Sequence, residues 1–197
     1  MGTLSYGMIS SLDGFVAGAD GDFDWAEPDE ETHRFVNERE RSVGTYLYGR
    51  RMFETMRAWA EDDWLADAPD YVREYADIWR AADKVVFSTT LAVPGIERTR
   101  VQPHLDLQAI RTVKESSDTE LSVSGPTLAA DLLRAGLVDE LAIYVAPAIV
   151  GAGTRLLPTG LRLDLSLVEE RRFASGIVFL RYTVRGGEAP AHPGLSY

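Results

Sequence analysis

The chain has 197 residues, 45% of them hydrophobic and 26% charged, which suits a single globular domain with its own core. A formal net charge of −11 argues against nucleic acid or an anionic membrane as partner, because either needs a basic face. The absence of cysteine excludes disulfides, thiolate metal sites, iron–sulfur clusters and a cysteine nucleophile. The first residues lack the basic start and apolar run of a secretion signal, and no stretch reaches membrane-spanning length, so a cytoplasmic protein is expected.

Residues 4–10 read as a first strand. The following Ser11-Leu12-Asp13-Gly14-Phe15-Val16-Ala17-Gly18 carries two glycines suited to a turn, and Asp13 suits either a site carboxylate or a side chain bonded to its own turn. Residues 18–31 form an acidic loop. Asp20, Asp22, Asp24 and Glu31 stand at offsets 1, 3, 5 and 12 of a calcium-loop pattern. Trp25 occupies the position that requires glycine, however, and a strand rather than a helix precedes, so no metal site is expected. Phe23 and Trp25 are unusual in so polar a loop, and Trp25 is a candidate lid or stacking surface for a substrate. A helix begins at Pro28 or Asp29, with acids in its first turn and Phe35 and Val36 facing inward, and Gly44 is its expected stop. His33 reads as a surface residue. His104 and His192 are distant in sequence, so a three-histidine metal site is not expected.

The stretch Tyr46-Leu47-Tyr48-Gly49-Arg50-Arg51-Met52-Phe53-Glu54-Thr55-Met56 passes from a short apolar strand through glycine into a helix with Met52, Phe53 and Met56 inward. Such a crossing leaves unpaired N–H groups and the positive end of a helix dipole at one spot, where anions bind. Arg50 and Arg51 add two permanent charges, so Gly49, Arg50 and Arg51 are candidate phosphate ligands. The alternative is an ordinary turn with two solvated arginines.

An irregular loop is expected over 59–67 and a helix over 69–82, with Tyr71, Tyr75, Ile78 and Trp79 along one side. A buried strand over 84–87 leads into Ser88, Thr89 and Thr90, whose hydroxyls suit phosphate or ribose oxygens, or else a cap or turn. A short strand over 96–101 and a helix over 105–115 follow. The strand 121–124 gives way through Gly125 to a helix opened by Pro126, Thr127 and Leu128 and stopped at Gly136, a second candidate phosphate nest. A long strand over 138–146 precedes an antiparallel hairpin, 165–173 with 177–185, turning at Ala174-Ser175-Gly176. Residues 186–197 are rich in glycine and proline and read as a flexible tail, leaving one domain over 1–185.

Strands alternating with helices, then a hairpin, predict an α/β fold: a three-layer αβα sandwich around a mostly parallel sheet with an antiparallel C-terminal hairpin. Ligands of such folds bind at the carboxyl ends of the strands, where Gly49-Arg50-Arg51, Ser88-Thr89-Thr90 and Gly125-Pro126-Thr127-Leu128 all lie. Three phosphate-friendly crossings suit an extended ligand with more than one phosphate, such as a dinucleotide. Neither G-x-G-x-x-G nor G-x-x-x-x-G-K-[ST] occurs, which argues against a standard Rossmann domain or P-loop NTPase.

The motifs Ser11-Leu12-Asp13-Gly14, Leu47-Tyr48-Gly49-Arg50-Arg51-Met52-Phe53-Glu54, Val85-Val86-Phe87-Ser88, Ser124-Gly125-Pro126-Thr127-Leu128, Gly136-Leu137-Val138-Asp139-Glu140-Leu141 and the run from Pro147 through Gly153 occur in this order. In them the chain resembles the dihydrofolate reductase-like superfamily, and within it the C-terminal reductase domain of riboflavin-biosynthesis proteins and its stand-alone relatives. The resemblance implies an NADPH-dependent reductase acting on a small heterocyclic substrate, commonly a homodimer. It implies that Gly49, Arg50 and Arg51 hold cofactor phosphates, that Ser88, Thr89 and Thr90 lie near the adenosine ribose and its 2′-phosphate, and that Gly125, Pro126, Thr127 and Leu128 receive the pyrophosphate. Arg50 favours NADPH over NADH, since the extra phosphate needs a cation. Gly151 and Gly153 match a glycine pair whose role stays open. Asp13 and Glu31 are candidates to orient a substrate or relay a proton, as catalytic groups. Many relatives have a cis Gly-Gly bond where this chain has Ser124-Gly125, and losing the first glycine puts that geometry in question. The other readings are a dihydrofolate reductase, with Glu31 holding the ring, and an NADP-binding protein without turnover.

Overall fold

The computed structural model describes residues 2–92 and 95–185. The expected tail over 186–197, with His192, lies outside the described residues. In chain order the elements are β1 (Leu4–Ser11), β2 (Phe15–Ala17), α1 (Glu30–Glu40), β3 (Val43–Gly49), α2 (Arg50–Met56), α3 (Asp70–Ala81), β4 (Asp83–Phe87) and β5 (Thr99–Gln102). There follow α4 (Leu107–Ser116), β6 (Glu120–Ser124), α5 (Pro126–Arg134), β7 (Glu140–Ala146), β8 (Thr154–Arg155), β9 (Asp164–Arg172) and β10 (Val178–Arg185). Eight strands form one sheet in the order β5-β4-β3-β6-β1-β7-β10-β9, while β2 and β8 pair in a small ribbon. The sheet is parallel from β5 to β7, and β10 and β9 run antiparallel.

Period-two alternation places apolar side chains on both faces, as a sheet covered on both sides requires. Leu47 and Val85 face α4 and α5, against Ile110, Leu128, Leu132 and Leu133. Tyr46, Tyr48 and Val86 face the opposite layer, where Phe53 of α2 and Tyr75 and Trp79 of α3 pack on them. On that side α1 sets Phe35 against Tyr144 and Phe179. These are the three layers expected from the element order. Asp29 caps α1 by accepting from Thr32 N–H at 3.0 Å, and Asp106 caps α4 through Gln108 and Ala109 N–H. Asp139 joins α4 to the start of β1, accepting from Lys114 Nζ at 2.6 Å and from Leu4 N–H at 2.8 Å.

Several local expectations give way. Helix α1 ends at Glu40, and Gly44 lies inside β3. A Cβ there would come within 2.1 Å of Thr119 Oγ1, so this glycine answers to close packing rather than to a helix stop. The loop over 59–67 opens with a 3₁₀ turn, Arg57–Ala60. His33 is not a free surface group: its ring lies edge-on to Trp59, Tyr71 and Tyr75, and burial pushes its pKa down. The bond between Ser124 and Gly125 is trans, since no peptide bond among the described residues is cis. No helix among the described residues is long and apolar enough to cross a membrane.

Candidate functional site

Five parallel strands, β4, β3, β6, β1 and β7, bring their carboxyl ends to one edge of the sheet. Four steps of about 4.8 Å make that edge about 19 Å long, enough for an extended dinucleotide. Three phosphate-friendly crossings fall on its β4–β3–β6 half. Gly49 is the last residue of β3 and precedes α2, a helix of seven residues. Its φ of −77° is ordinary, and none of the described residues lies within 4 Å of a Cβ built on it, so no contact among them requires glycine here. The open space is what a ligand approaching the backbone would use.

The side chain of Arg50 is held. Its Nε donates to Glu54 Oε1 at 2.7 Å, and its Nη1 donates to Thr90 Oγ1 at 2.7 Å. Thr90 N–H and Leu91 N–H in turn donate to Ser88 Oγ, at 3.2 and 3.0 Å, so the loop after β4 is shaped around that hydroxyl. Thr89 is exposed. The guanidinium of Arg51 is exposed and has no hydrogen-bond or ion-pair partner among the described residues. An arginine without an internal partner beside an arginine fixed in place suits an anion from outside.

Gly125 adopts φ +98°, a left-handed conformation that disfavours any side chain, and a Cβ there would sit 3.1 Å from Met52 Cβ. Glycine thus lets the start of α5 close on α2. Pro126 takes the first helical position and offers no N–H, while the N–H groups of Thr127 and Leu128 belong to a first turn that has no intrahelical acceptor for them. All ten candidate cofactor residues therefore stand on three adjacent strand ends, and this surface fits a bisphosphate in charge, donors and free space.

Between β6 and β1 the edge is stepped. β6 pairs with β1 only over residues 4–6, whereas β7 accompanies β1 over residues 5–11. Residues 8–11 of β1 thus overshoot β6, which ends at Ser124, by about 13 Å. Ser124 Oγ donates to Gly7 O at 3.3 Å at the foot of the step. Among the described residues the step leaves one side of β1 without a strand neighbour, at the place where the strand order doubles back.

Beyond the step lies a cleft of about 400 Å³ between the acidic loop and the loop after β7, lined by Gly18, Asp20, Asp22, Trp25, Ala148 and Ile149 among others. A larger hollow, about 630 Å³, opens at the start of β3 beside Gly44 and Thr119, on the amino edge away from these groups. Asp13 fastens the far wall of the cleft. Its Oδ1 accepts from Ser11 Oγ at 2.7 Å and from Val150 N–H at 3.1 Å, and its Oδ2 accepts from Gly151 N–H at 2.7 Å. The Ser11 hydroxyl, with the two N–H donors, brings its pKa down to about 2. The glycine pair now has a role: Gly151 (φ +82°) presents its N–H to Asp13, and at Gly153 a Cβ would meet Ala17 O at 2.1 Å.

Glu31 stands at the start of α1, where Oε1 accepts from Arg171 Nη2 and Oε2 from Ala174 N–H, both at 3.1 Å. It ties α1 to the β9–β10 turn, whereas Asp13 ties β1 to the loop after β7, so the two carboxylates work on different loops. Trp25 lines the cleft and packs on the Phe35 cluster, and its indole N–H is buried without an acceptor. Two contributors escaped the sequence reading, Glu54 and Ser11. The Arg50–Glu54 spacing of i, i+4 was a readable signal, while the Ser11–Asp13 contact depends on the turn's shape. Among the described residues no group of three or more His, Asp or Glu side chains is placed to hold a metal ion.

Residues 3–179 match the model of the RibD C-terminal domain. The chain is 28% identical over 180 residues to the protein YyaP of Bacillus subtilis, covering 89% of this chain and 92% of that one. It is 34% identical over 100 residues to the riboflavin biosynthesis protein RibD of Escherichia coli, covering half of this chain and 23% of that protein. A riboflavin biosynthesis protein of Shewanella superposes with a TM-score of 0.72 at 19% identity, over 93% of this chain and 99% of that one. A Thermotoga maritima deaminase and 5-amino-6-(5-phosphoribosylamino)uracil reductase gives 0.65 at 15% identity, over 93% of this chain and 57% of that one. The last two likenesses are likenesses of fold.

Proposed function

The chain belongs to the RibD C-terminal domain family, and from that premise and the carboxyl-edge geometry we propose that it is an NADPH-dependent reductase of a small heterocyclic compound. The observation that carries the cofactor assignment is the convergence of Gly49-Arg50-Arg51, Ser88-Thr89-Thr90 and Gly125-Pro126-Thr127-Leu128 on three adjacent strand ends, with Arg50 bonded across to Thr90. NADPH supplies a hydride when bound. Arg50 and Arg51 neutralise phosphate charge, the open face of Gly49 admits a phosphate close to the backbone, and the first turn of α5 offers N–H donors to a second one.

The cleft between Trp25 and Ile149 lies at the other end of the same edge, past the step, and is where the substrate sits in this reading. Asp13 positions the loop that forms one wall. Held ionised at neutral pH, it contributes orientation rather than a proton. Glu31 orders the hairpin turn through Arg171 and Ala174, a pattern that supports anchoring rather than the ring-holding carboxylate of a folate enzyme.

Isothermal titration of NADPH into the full chain tests the assignment. We expect micromolar or tighter binding, with NADH weaker, and an absence of binding heat overturns it. A homodimer in the cytoplasm belongs to the same reading. Among the described residues the outer edge of β9 has no strand neighbour, and β9 exposes Leu165, Leu167 and Val168, which a second copy would cover. Light scattering on the eluting protein should give twice the chain mass.

A further inference from the structure

The charge of the cleft runs against the substrate of the enzymes it resembles. The compound named for the Thermotoga reductase carries a phosphate. Among the described residues, the side chains lining this cleft include two carboxylates, Asp20 and Asp22, and no lysine, arginine or histidine. Arg155 stacks on Phe15 at 5.1 Å, and Arg171 pairs with Glu31 and lies over the rings of Phe35 and Phe173. A phosphate dianion here would lie beside two carboxylates without a counter-charge. The remaining walls are apolar: Trp25, Ala148, Ile149, Val150 and Ala152, with Ile149 76% exposed.

A pocket with an aromatic wall, an aliphatic wall and a rim of carboxylates matches an apolar ring bearing a positive charge. We propose that the substrate class of this reductase is a cationic cyclic iminium compound, a ring containing C=N⁺, without a phosphate. The proposal rests on the reductase reading above and names its substrate.

The chemistry balances without an acid. The iminium carbon gains a hydride and forms a C–H bond, the C=N π pair moves onto nitrogen and cancels its charge, and NADPH is oxidised by two electrons to NADP⁺. No proton enters. This agrees with a cleft whose neighbouring Asp13 has both oxygens accepting hydrogen bonds and stays ionised. The nascent product is a neutral tertiary amine, which takes up a proton from water at neutral pH, after and apart from the hydride transfer. The net charge of −11 also steers cations toward the protein and anions away.

The test is calorimetry on the full chain, with and without NADPH, using N-methyl-3,4-dihydroisoquinolinium as the cation and N-methyl-3,4-dihydroisoquinolin-1-one as a neutral ring of similar shape. The double substitution Asp20→Asn and Asp22→Asn keeps the Oδ1 acceptors that shape the loop, bonded to Asp22 N–H at 3.1 Å and Asp24 N–H at 3.0 Å, and removes only charge. The cation is expected to bind at least tenfold tighter than the lactam in the native chain and within threefold of it in the double variant. NADPH affinity should be the same in both. With NADPH present, loss of 340 nm absorbance should follow the cation at a rate independent of pH between 6 and 8. Equal or tighter binding of the lactam overturns the proposal. So does a preference that survives in the double variant, or tighter binding of 5-amino-6-(5-phosphoribosylamino)uracil. If NADPH itself does not bind, the reductase reading fails, and the cation titration on the free protein still decides the charge preference.

Discussion

Arg50 and Thr90 are joined by a 2.7 Å hydrogen bond from Nη1 to Oγ1 that links the end of β3 to the loop after β4, 40 residues later. The bond, with the one to Glu54, fixes the guanidinium in place without adding an aromatic or apolar contact. Arg51 beside it has no side-chain partner among the described residues. Hydrogen bonds to charged groups contribute about 1.5–3 kcal/mol each, so replacing both arginines by glutamine should weaken NADPH binding by at least about 100-fold. Fluorescence or calorimetric titration reads this directly, and an unchanged dissociation constant would sink the phosphate assignment.

Gly49 allows affinity and stability to be separated. Its backbone already has the extended conformation of a helix N-cap, and a built Cβ meets nothing within 4 Å. Aspartate is a favoured residue at that position, so Gly49→Asp should raise stability by about 0.3–0.5 kcal/mol, or roughly 1–2 °C in melting temperature. The same carboxylate would occupy the phosphate approach and repel it. NADPH affinity should drop at least tenfold while the protein melts later. A lower melting temperature, or unaltered affinity, contradicts this account.

The Asp13 contacts predict an acid-sensitive loop. The folded pKa of about 2 lies below the ordinary 3.8, so the unfolded chain takes up the proton first as pH falls. The stabilisation is complete above about pH 4, declines through the window down to about pH 2, and is absent below it. In Asp13→Ala the gap in melting temperature from the native chain should be constant from pH 5 to 7 and close across that window. Thermal scans at stepped pH read it, and a gap that persists at pH 2 would assign the effect to packing instead.

Phe35 is the strongest candidate for a purely structural loss. Its ring meets Phe173 at 5.3 Å, Phe179 at 5.0 Å and Tyr144 at 6.3 Å, joining α1 to the β7–β10 part of the sheet. Phe35→Ala should cost about 3–5 kcal/mol of unfolding free energy. Denaturant titration checks the figure. A cost under about 1 kcal/mol would mean that α1 is docked mainly by Glu31 and the N-cap.

Much of this arrangement was readable from the chain. Period-two runs such as Tyr46-Leu47-Tyr48 and glycine–helix crossings marked the strands, the layers and the edge that gathers them. Gly44 misled because a glycine that fits under a side chain from the turn before β6, Thr119, looks the same in sequence as a glycine that ends a helix. The ribbon of β2 with β8 was too short to carry a period. The engagement of Asp13 with Val150 and Gly151 joins residues more than 130 positions apart, and no local pattern encodes such a contact. The sequence supplied the residue types of the cleft, but only the fold placed the acidic loop opposite Ile149, with no basic side chain among the described residues of its walls.

Because Asp13 clamps the loop after β7, and Gly153 seats that loop against Ala17, the cavity has its shape before any visitor arrives. Neither coenzyme nor reactant then has to mould a berth for the other. Initial-rate patterns for such an enzyme should be those of random addition, with each molecule binding to the empty protein about as well as to the half-filled one.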